Sequence, residues 1–214
     1  TRTISVLEGF GRNKRKNRNI IMKKSMLIVL FMIAVSSVFP LSGCSISKNW
    51  DTEVDLLVVG GGTSGVAAGI QASRMEIETL IVEESTWLGG MLTSAGVSAI
   101  DGNHKLPGGL WGEFRDSLVS YYGHTDSLRT GWVSSVLFEP SVGNLIFKKM
   151  CSQQDKLKVW YKTTIIAASR INDKWEITLD TDGSTKTVKA SVLIDATELG
   201  DVAKMCGVRY DIGM

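Results

Sequence analysis

Three cysteines in 214 residues are too few to staple a fold together with disulfides. The two histidines, His104 and His124, are far apart and the chain shows no metal-ligand cluster, which argues against a zinc centre, and no metal site is expected. Basic charge is also scarce where it would matter. The formal charge is +2, but residues 1–44 hold eight of the 24 Lys and Arg and one of the 22 acids, leaving the rest near −5. Without a basic field or a stacking surface, nucleic acid is excluded as a partner. Internal repeats and low-complexity runs are absent. The apolar run Met26–Phe39, broken only by Ser36 and Ser37, spans 14 residues and is too short to cross a bilayer comfortably.

That run has another use. Met22-Lys23-Lys24-Ser25 is a short basic start, and Leu41-Ser42-Gly43-Cys44 follows the apolar stretch. This is the layout of an export signal. Its ending resembles a bacterial lipobox, which implies cleavage before Cys44 and lipid on its thiol. The expected location is the bacterial cell envelope, membrane-anchored, facing the periplasm or the exterior. No twin-arginine pair occurs, so Sec export is expected, with any cofactor acquired outside the cytoplasm. Residues 1–21 precede the better start at Met22; they read as translated upstream DNA, a mis-set start or a long basic n-region. The chain thus divides into residues 1–21, a signal at 22–43, a lipidated linker at 44–52 and one folded domain at 53–214. At 43% hydrophobic residues, that last part can bury a core.

What is present in that domain is more specific. Val54–Val59 is an apolar run that reads as a buried strand, and Ser64–Arg74 reads as a helix. Between them, Gly60-Gly61-Gly62-Thr63-Ser64-Gly65 fits G-x-G-x-x-G at a strand-to-helix turn. The first glycine permits the turn, the second admits a pyrophosphate to the backbone, and the third lets helix and strand pack closely. The helix N-terminus then offers free N–H groups and partial positive charge to the phosphates. Ala67, Ala68, Gly69 and Ala72 keep the helix close to a sheet. A second strand, Thr79–Val82, ends in Glu83, 18 residues after Gly65, near the spacing of a ribose-binding acid. Gly60, Gly62, Thr63, Ser64 and Gly65 are therefore the candidate pyrophosphate residues and Glu83 the ribose residue.

The motif alone fits FAD or NAD, since both carry an ADP half. Glu83-Glu84-Ser85-Thr86-Trp87-Leu88-Gly89-Gly90-Met91 separates them. An acid followed by a Gly-Gly pair resembles the FAD-dependent oxidoreductases of the glutathione-reductase-like superfamily, where the pair lines the path of the pyrophosphate and ribityl chain. The resemblance implies that Gly89, Gly90 and Met91 approach the ribityl chain and flavin. It extends to Val192–Thr197, a strand running into a polar turn, where Ala196 and Thr197 would lie beside the cofactor. The family's Ala-Thr-Gly is here Ala196-Thr197-Glu198, with Gly200-Asp201 following. Asp201–Cys206 reads as a short helix closed by Gly207. A second departure is Met75-Glu76-Ile77-Glu78, where the family places a glycine before the second strand.

The order of the remaining elements agrees. Val159–Lys162 reads as a third parallel strand. Thr164–Arg170, Lys174–Thr181 and Thr185–Ala190 alternate apolar and polar residues around the turn signals Asn172-Asp173 and Asp182-Gly183. The expected fold is α/β: a Rossmann-like FAD-binding domain whose parallel sheet carries an inserted three-stranded antiparallel meander. By resemblance, Ile165 offers its backbone to the adenine. The segment from Trp111 begins an amphipathic helix with core aromatics, and Pro140 fits the first turn of the helix before the third strand.

The sequence names no catalytic acid or base. His104 could face a flavin ring, but a solvated loop histidine is the preferred reading; Glu84 is equally a surface acid. Cys151 and Cys206 are either free core thiols or a disulfide, with the free reading preferred, and a Cys-x-x-Cys redox pair is absent. The expected activity is an exported, lipid-anchored FAD-dependent oxidoreductase acting on a small-molecule substrate. Because the family is normally longer, the chain is expected to be its N-terminal, cofactor-binding portion, without turnover alone and incomplete at the C-terminus of the fold. The competing readings are an NAD-dependent Rossmann oxidoreductase and a non-catalytic nucleotide-fold lipoprotein, the latter favoured by Glu198.

Overall fold

The computed structural model describes residues 50–211 and 213. The signal segment, Cys44 and most of the linker lie outside the described residues. Among the described residues, no helix is long and apolar enough to cross a membrane.

Six strands form one sheet: β1 (Thr52–Val59), β2 (Thr79–Val82), β3 (Leu157–Trp160), β4 (Thr163–Ile171), β5 (Lys174–Thr181) and β6 (Ser184–Asp195). Their order is β3-β2-β1-β6-β5-β4. β1 pairs in parallel with β2 and β6, and β2 in parallel with β3. β4, β5 and β6 are antiparallel neighbours. Among the described residues four α-helices accompany them: α1 (Thr63–Arg74), α2 (Gly109–Tyr122), α3 (Pro140–Ser152) and α4 (Asp201–Met205).

The α/β reading of the sequence describes this sheet, with two adjustments. The third parallel strand begins two residues earlier than predicted, at Leu157. The predicted segments 185–190 and 192–197 are one continuous strand. β6 pairs with β5 through Ser184–Ala190 and with β1 from Val188 to Asp195. No glycine or proline interrupts Ser184–Asp195, so nothing stops the strand between its two partners. The meander therefore shares its last strand with the parallel sheet. Its two hairpins are tight because both turn residues of each have positive φ: Asn172 and Asp173, then Asp182 and Gly183.

The sheet is apolar on both faces, which suits parallel strands covered on either side. Leu56, Val58 and Ile81 join the core beneath α1, α2 and α3. Leu57, Val59, Leu80 and Val82 join Ile177, Leu179, Val188 and Ala190 on the other side. Phe147 of α3 stacks on Phe114 of α2 at 4.4 Å, and Phe138 meets Phe114 edge-on at 5.4 Å. Those aromatics are core, as the sequence implied, and Pro140 opens α3. Cys151 and Cys206 are both free. Burial pushes the Cys151 thiol up to about 12, which keeps it unreactive.

The departure at residues 75–78 has a structural counterpart. α1 ends at Arg74, and Glu76 then adopts φ +62° to turn the chain toward β2. A left-handed residue after a helix is ordinarily glycine, because a side chain there is strained. Glu76 is exposed, so removing its side chain costs no packing. Glu76→Gly is expected to raise stability by about 0.5–1 kcal/mol, read from urea unfolding midpoints.

Candidate functional site

β1 is the pivot of the sheet: its chain leaves toward β2 on one side, while β6 lies on the other. Such a switch point opens a crevice beyond the carboxyl ends of the strands. A cleft of about 480 Å³ lies there, lined by the ends of β1 (Val59, Gly60), β2 (Val82, Glu83) and the turn after β6 (Ala196, Thr197, Glu198). Gly62, Glu84, Gly90, Asp201 and Thr163–Ile165 at the start of β4 also line it.

The three motif glycines are distinguished by what a side chain would meet. At Gly60, with φ +108°, a β-carbon would overlap the Ala196 carbonyl. At Gly65 it would overlap the Gly60 carbonyl. Both are glycine because two backbones must pass each other. Gly62 differs. A β-carbon there would meet nothing nearer than Glu198 Oε1, at 3.8 Å, and would point into the cleft. Protein packing does not require that glycine.

Gly62 is also the N-cap of α1. It offers no side-chain cap, and the first turn of the helix holds no acid. The first N–H of this turn with a backbone acceptor is Val66, which donates to the Gly62 carbonyl at 2.9 Å. Among the described residues the N–H groups of Thr63, Ser64 and Gly65 lack an intrahelical partner, as the start of a helix must. Gly62, at the head of the helix, lines the cleft while Thr63, Ser64 and Gly65 do not, so the positive end of the helix dipole meets the cleft at Gly62. A dinucleotide pyrophosphate fits this arrangement of open backbone and uncapped helix.

The second glycine pair is tied onto this loop. The Gly89 N–H donates to the Gly61 carbonyl at 2.8 Å, and Thr63 Oγ1 donates to the Gly89 carbonyl at 2.9 Å. Gly89 is buried, and a side chain there would strike Phe147 and Thr93. Gly90 faces the cleft, while Met91 is exposed in the following 3-10 turn and does not line it. Thr63 and Gly89 thus hold the two loops together, and Ser64 is exposed on the first turn of α1.

Glu83 also serves the loop. Its Oε2 accepts from the Gly61 N–H at 2.7 Å, and its Oε1 accepts from the Ser85 N–H at 2.9 Å and Ser85 Oγ at 2.6 Å. Glu83, the residue that the sequence offers for a ribose, is among those lining the cleft. Ile165 lines it too, beside a register shift between Ile165 and Ala167 that bends β4 locally. Sequence reasoning did not find Asp195. Burial pushes its carboxyl up, but donors from Thr197 Oγ1 and the backbone of Ala203, Thr197 and Val202 outweigh that and hold it below the ordinary range. It joins the end of β6 to α4 and so fixes the Ala196–Thr197 turn. An acid closing a strand before a polar turn was the available signal.

His104 is elsewhere. It is half-buried and lines a separate cleft of about 560 Å³ with Asp101, Lys105, Arg129 and Trp132, sharing no residue with the first. Its Nε2 is buried without a partner.

The glycine geometry makes an unequal prediction. Gly62→Ala is expected to leave the unfolding midpoint nearly unchanged and to weaken FAD binding at least tenfold, about 1.4 kcal/mol. Gly60→Ala is expected to lose about 2–3 kcal/mol of stability from backbone overlap and positive φ, before any ligand is added. Urea denaturation and flavin titration of each variant check both.

The fold has known counterparts. OxyS anhydrotetracycline hydroxylase from Streptomyces rimosus superposes with a TM-score of 0.53 at 10% identity, over 72% of this chain and 33% of that one. A flavoprotein/dehydrogenase from Cytophaga hutchinsonii gives 0.50 at 16% identity, over 76% and 44%. In sequence, a carotenoid φ-ring synthase from Chlorobaculum tepidum is 28% identical over 98 residues, 46% of this chain. The chain spans 14% of the length of that relative and under half of each structure. Residues 55–214 match the family described as FAD dependent oxidoreductase, which takes in most of β1, both glycine loops and the turn after β6: the chain belongs to the FAD-dependent oxidoreductase family.

Proposed function

We propose that residues 53–214 are the cofactor-binding portion of an exported, lipid-anchored oxidoreductase that works on a small-molecule substrate. The cofactor is FAD. The observation that carries the reading is Gly62, kept free of a side chain by the cleft and not by packing. When bound, the flavin supplies the hydride or electron chemistry, and the protein binds and orients it. The α1 N-terminus and Gly62 hold the pyrophosphate. Glu83, already anchored to Gly61, meets the ribose at its rim, and the backbone at Ile165 borders the adenine. Gly90 leaves room for the ribityl chain. The N–H groups of the loop need no cation to neutralise the phosphates, which suits a cleft lined by no lysine, arginine or histidine among the described residues.

The expected result of titrating the flavin-free full chain with FAD is quenched flavin fluorescence and a structured, shifted absorption band. NAD at equal concentration is expected not to displace it. Displacement by NAD, or an unperturbed flavin spectrum, contradicts the reading.

The export part rests on residues 22–44. The basic start, the apolar run and Leu41-Ser42-Gly43-Cys44 support lipid on the Cys44 thiol after cleavage. In a bacterial host given a labelled fatty acid, the chain is expected to take up label in the membrane fraction, and Cys44→Ser is expected to take up none. Label on the Cys44→Ser protein contradicts the anchor.

A further inference from the structure

Glu198 stands where the family pattern has a glycine, and the structure puts its carboxylate at the mouth of the phosphate site. Its Oε1 lies 3.8 Å from a β-carbon placed on Gly62 and 3.1 Å from one placed on Gly90. It therefore occupies the open side of both glycines that face the cleft. Among the described residues, no hydrogen bond or ion pair holds this carboxylate, and the residue is exposed. The neighbouring side chains give it no reason to stay. The cleft wall also carries Glu83, Glu84 and Asp201 and no basic side chain. Of these acids, Glu83 is spoken for by Gly61 and Ser85. Glu198 is the one whose carboxylate lies over the glycines.

We propose that Glu198 gates cofactor loading: its carboxylate covers the pyrophosphate path in the free protein and has to swing out before FAD can bind. The inference rests on the assignment of this cleft to FAD. A pyrophosphate carries two negative charges, and a third unit charge of the same sign within about 4–5 Å is repelled by several times the thermal energy where water is partly excluded. The helix N-terminus attracts both anions, so carboxylate and pyrophosphate compete for one partial positive charge. Three rotatable bonds and the lack of a partner make the outward swing cheap for Glu198. The carboxylate therefore weakens cofactor binding without preventing it, and keeps other phosphates off the open loop.

The test is the dissociation constant for FAD, by flavin fluorescence quenching, of the flavin-free full chain and of Glu198→Gln and Glu198→Ala. Glu198→Gln keeps the size and removes the charge; Glu198→Ala removes both. Both are expected to bind FAD roughly five- to tenfold more tightly at low ionic strength, with a smaller gain at high salt. Unfolding midpoints without flavin are expected to match the parent, since the side chain packs against nothing that holds it. A constant equal to the parent's, or weaker binding by Glu198→Gln, overturns the gate; weaker binding would make the carboxylate a ligand of the cofactor. Should the parent and both variants all leave the flavin unquenched, the cofactor assignment falls, and the gate with it.

Discussion

Everything in this domain turns on how closely three backbones approach at the carboxyl end of β1. Gly60 passes beneath the Ala196 carbonyl, and Gly65 passes the Gly60 carbonyl, with no room for a side chain at either point. That contact fixes the start of α1 against the end of β6. It thereby brings Gly62, the uncapped head of the helix, into the wall of the crevice beside the ends of β1 and β6. The strand order supplies the crevice and the close approach supplies its polarity. Neither would bind a phosphate alone.

The rest of the site is secured around this junction by side chains that do other work. Glu83 clasps the first loop through Gly61, and Thr63 clasps the second through the Gly89 carbonyl. Asp195 gathers the turn after β6 and the start of α4. Beneath them, Gly89 rests on Phe147, which stacks on Phe114. A change in the aromatic core therefore reaches the cleft through backbone contacts. The result is a wall that carries no basic side chain, so on the proposed reading an anionic cofactor is met by N–H groups instead of mobile cations.

Much of this was legible in the chain. The apolar runs at 54–59 and 79–82, the glycine spacing between them and the Asn172-Asp173 and Asp182-Gly183 turns each rest on local rules of backbone and burial, and these gave α1, β1, β2 and β5 to within two residues. The continuity of β6 was not legible, because a strand that changes partner halfway leaves no mark in alternation. The division of labour among Gly60, Gly62 and Gly65 was only partly so: three glycines look alike until their neighbours are known. The lock made by Thr63, the placing of Met91 outside the cleft wall and the carboxylate of Glu198 over Gly62 depend on contacts between distant segments, which spacing does not encode.

The central claim is that the first turn of α1, opened by Gly62, is the phosphate-binding surface. The measurement that addresses it most directly is the change in backbone amide resonances of the full chain when FAD is added. The account predicts the largest shifts at Gly62, Thr63, Ser64 and Gly65, with Gly90 and Thr197 next and the strands of the meander beyond Ile165 nearly still. Saturable shifts centred elsewhere, for instance around His104 and Arg129 in the separate cleft, would contradict it.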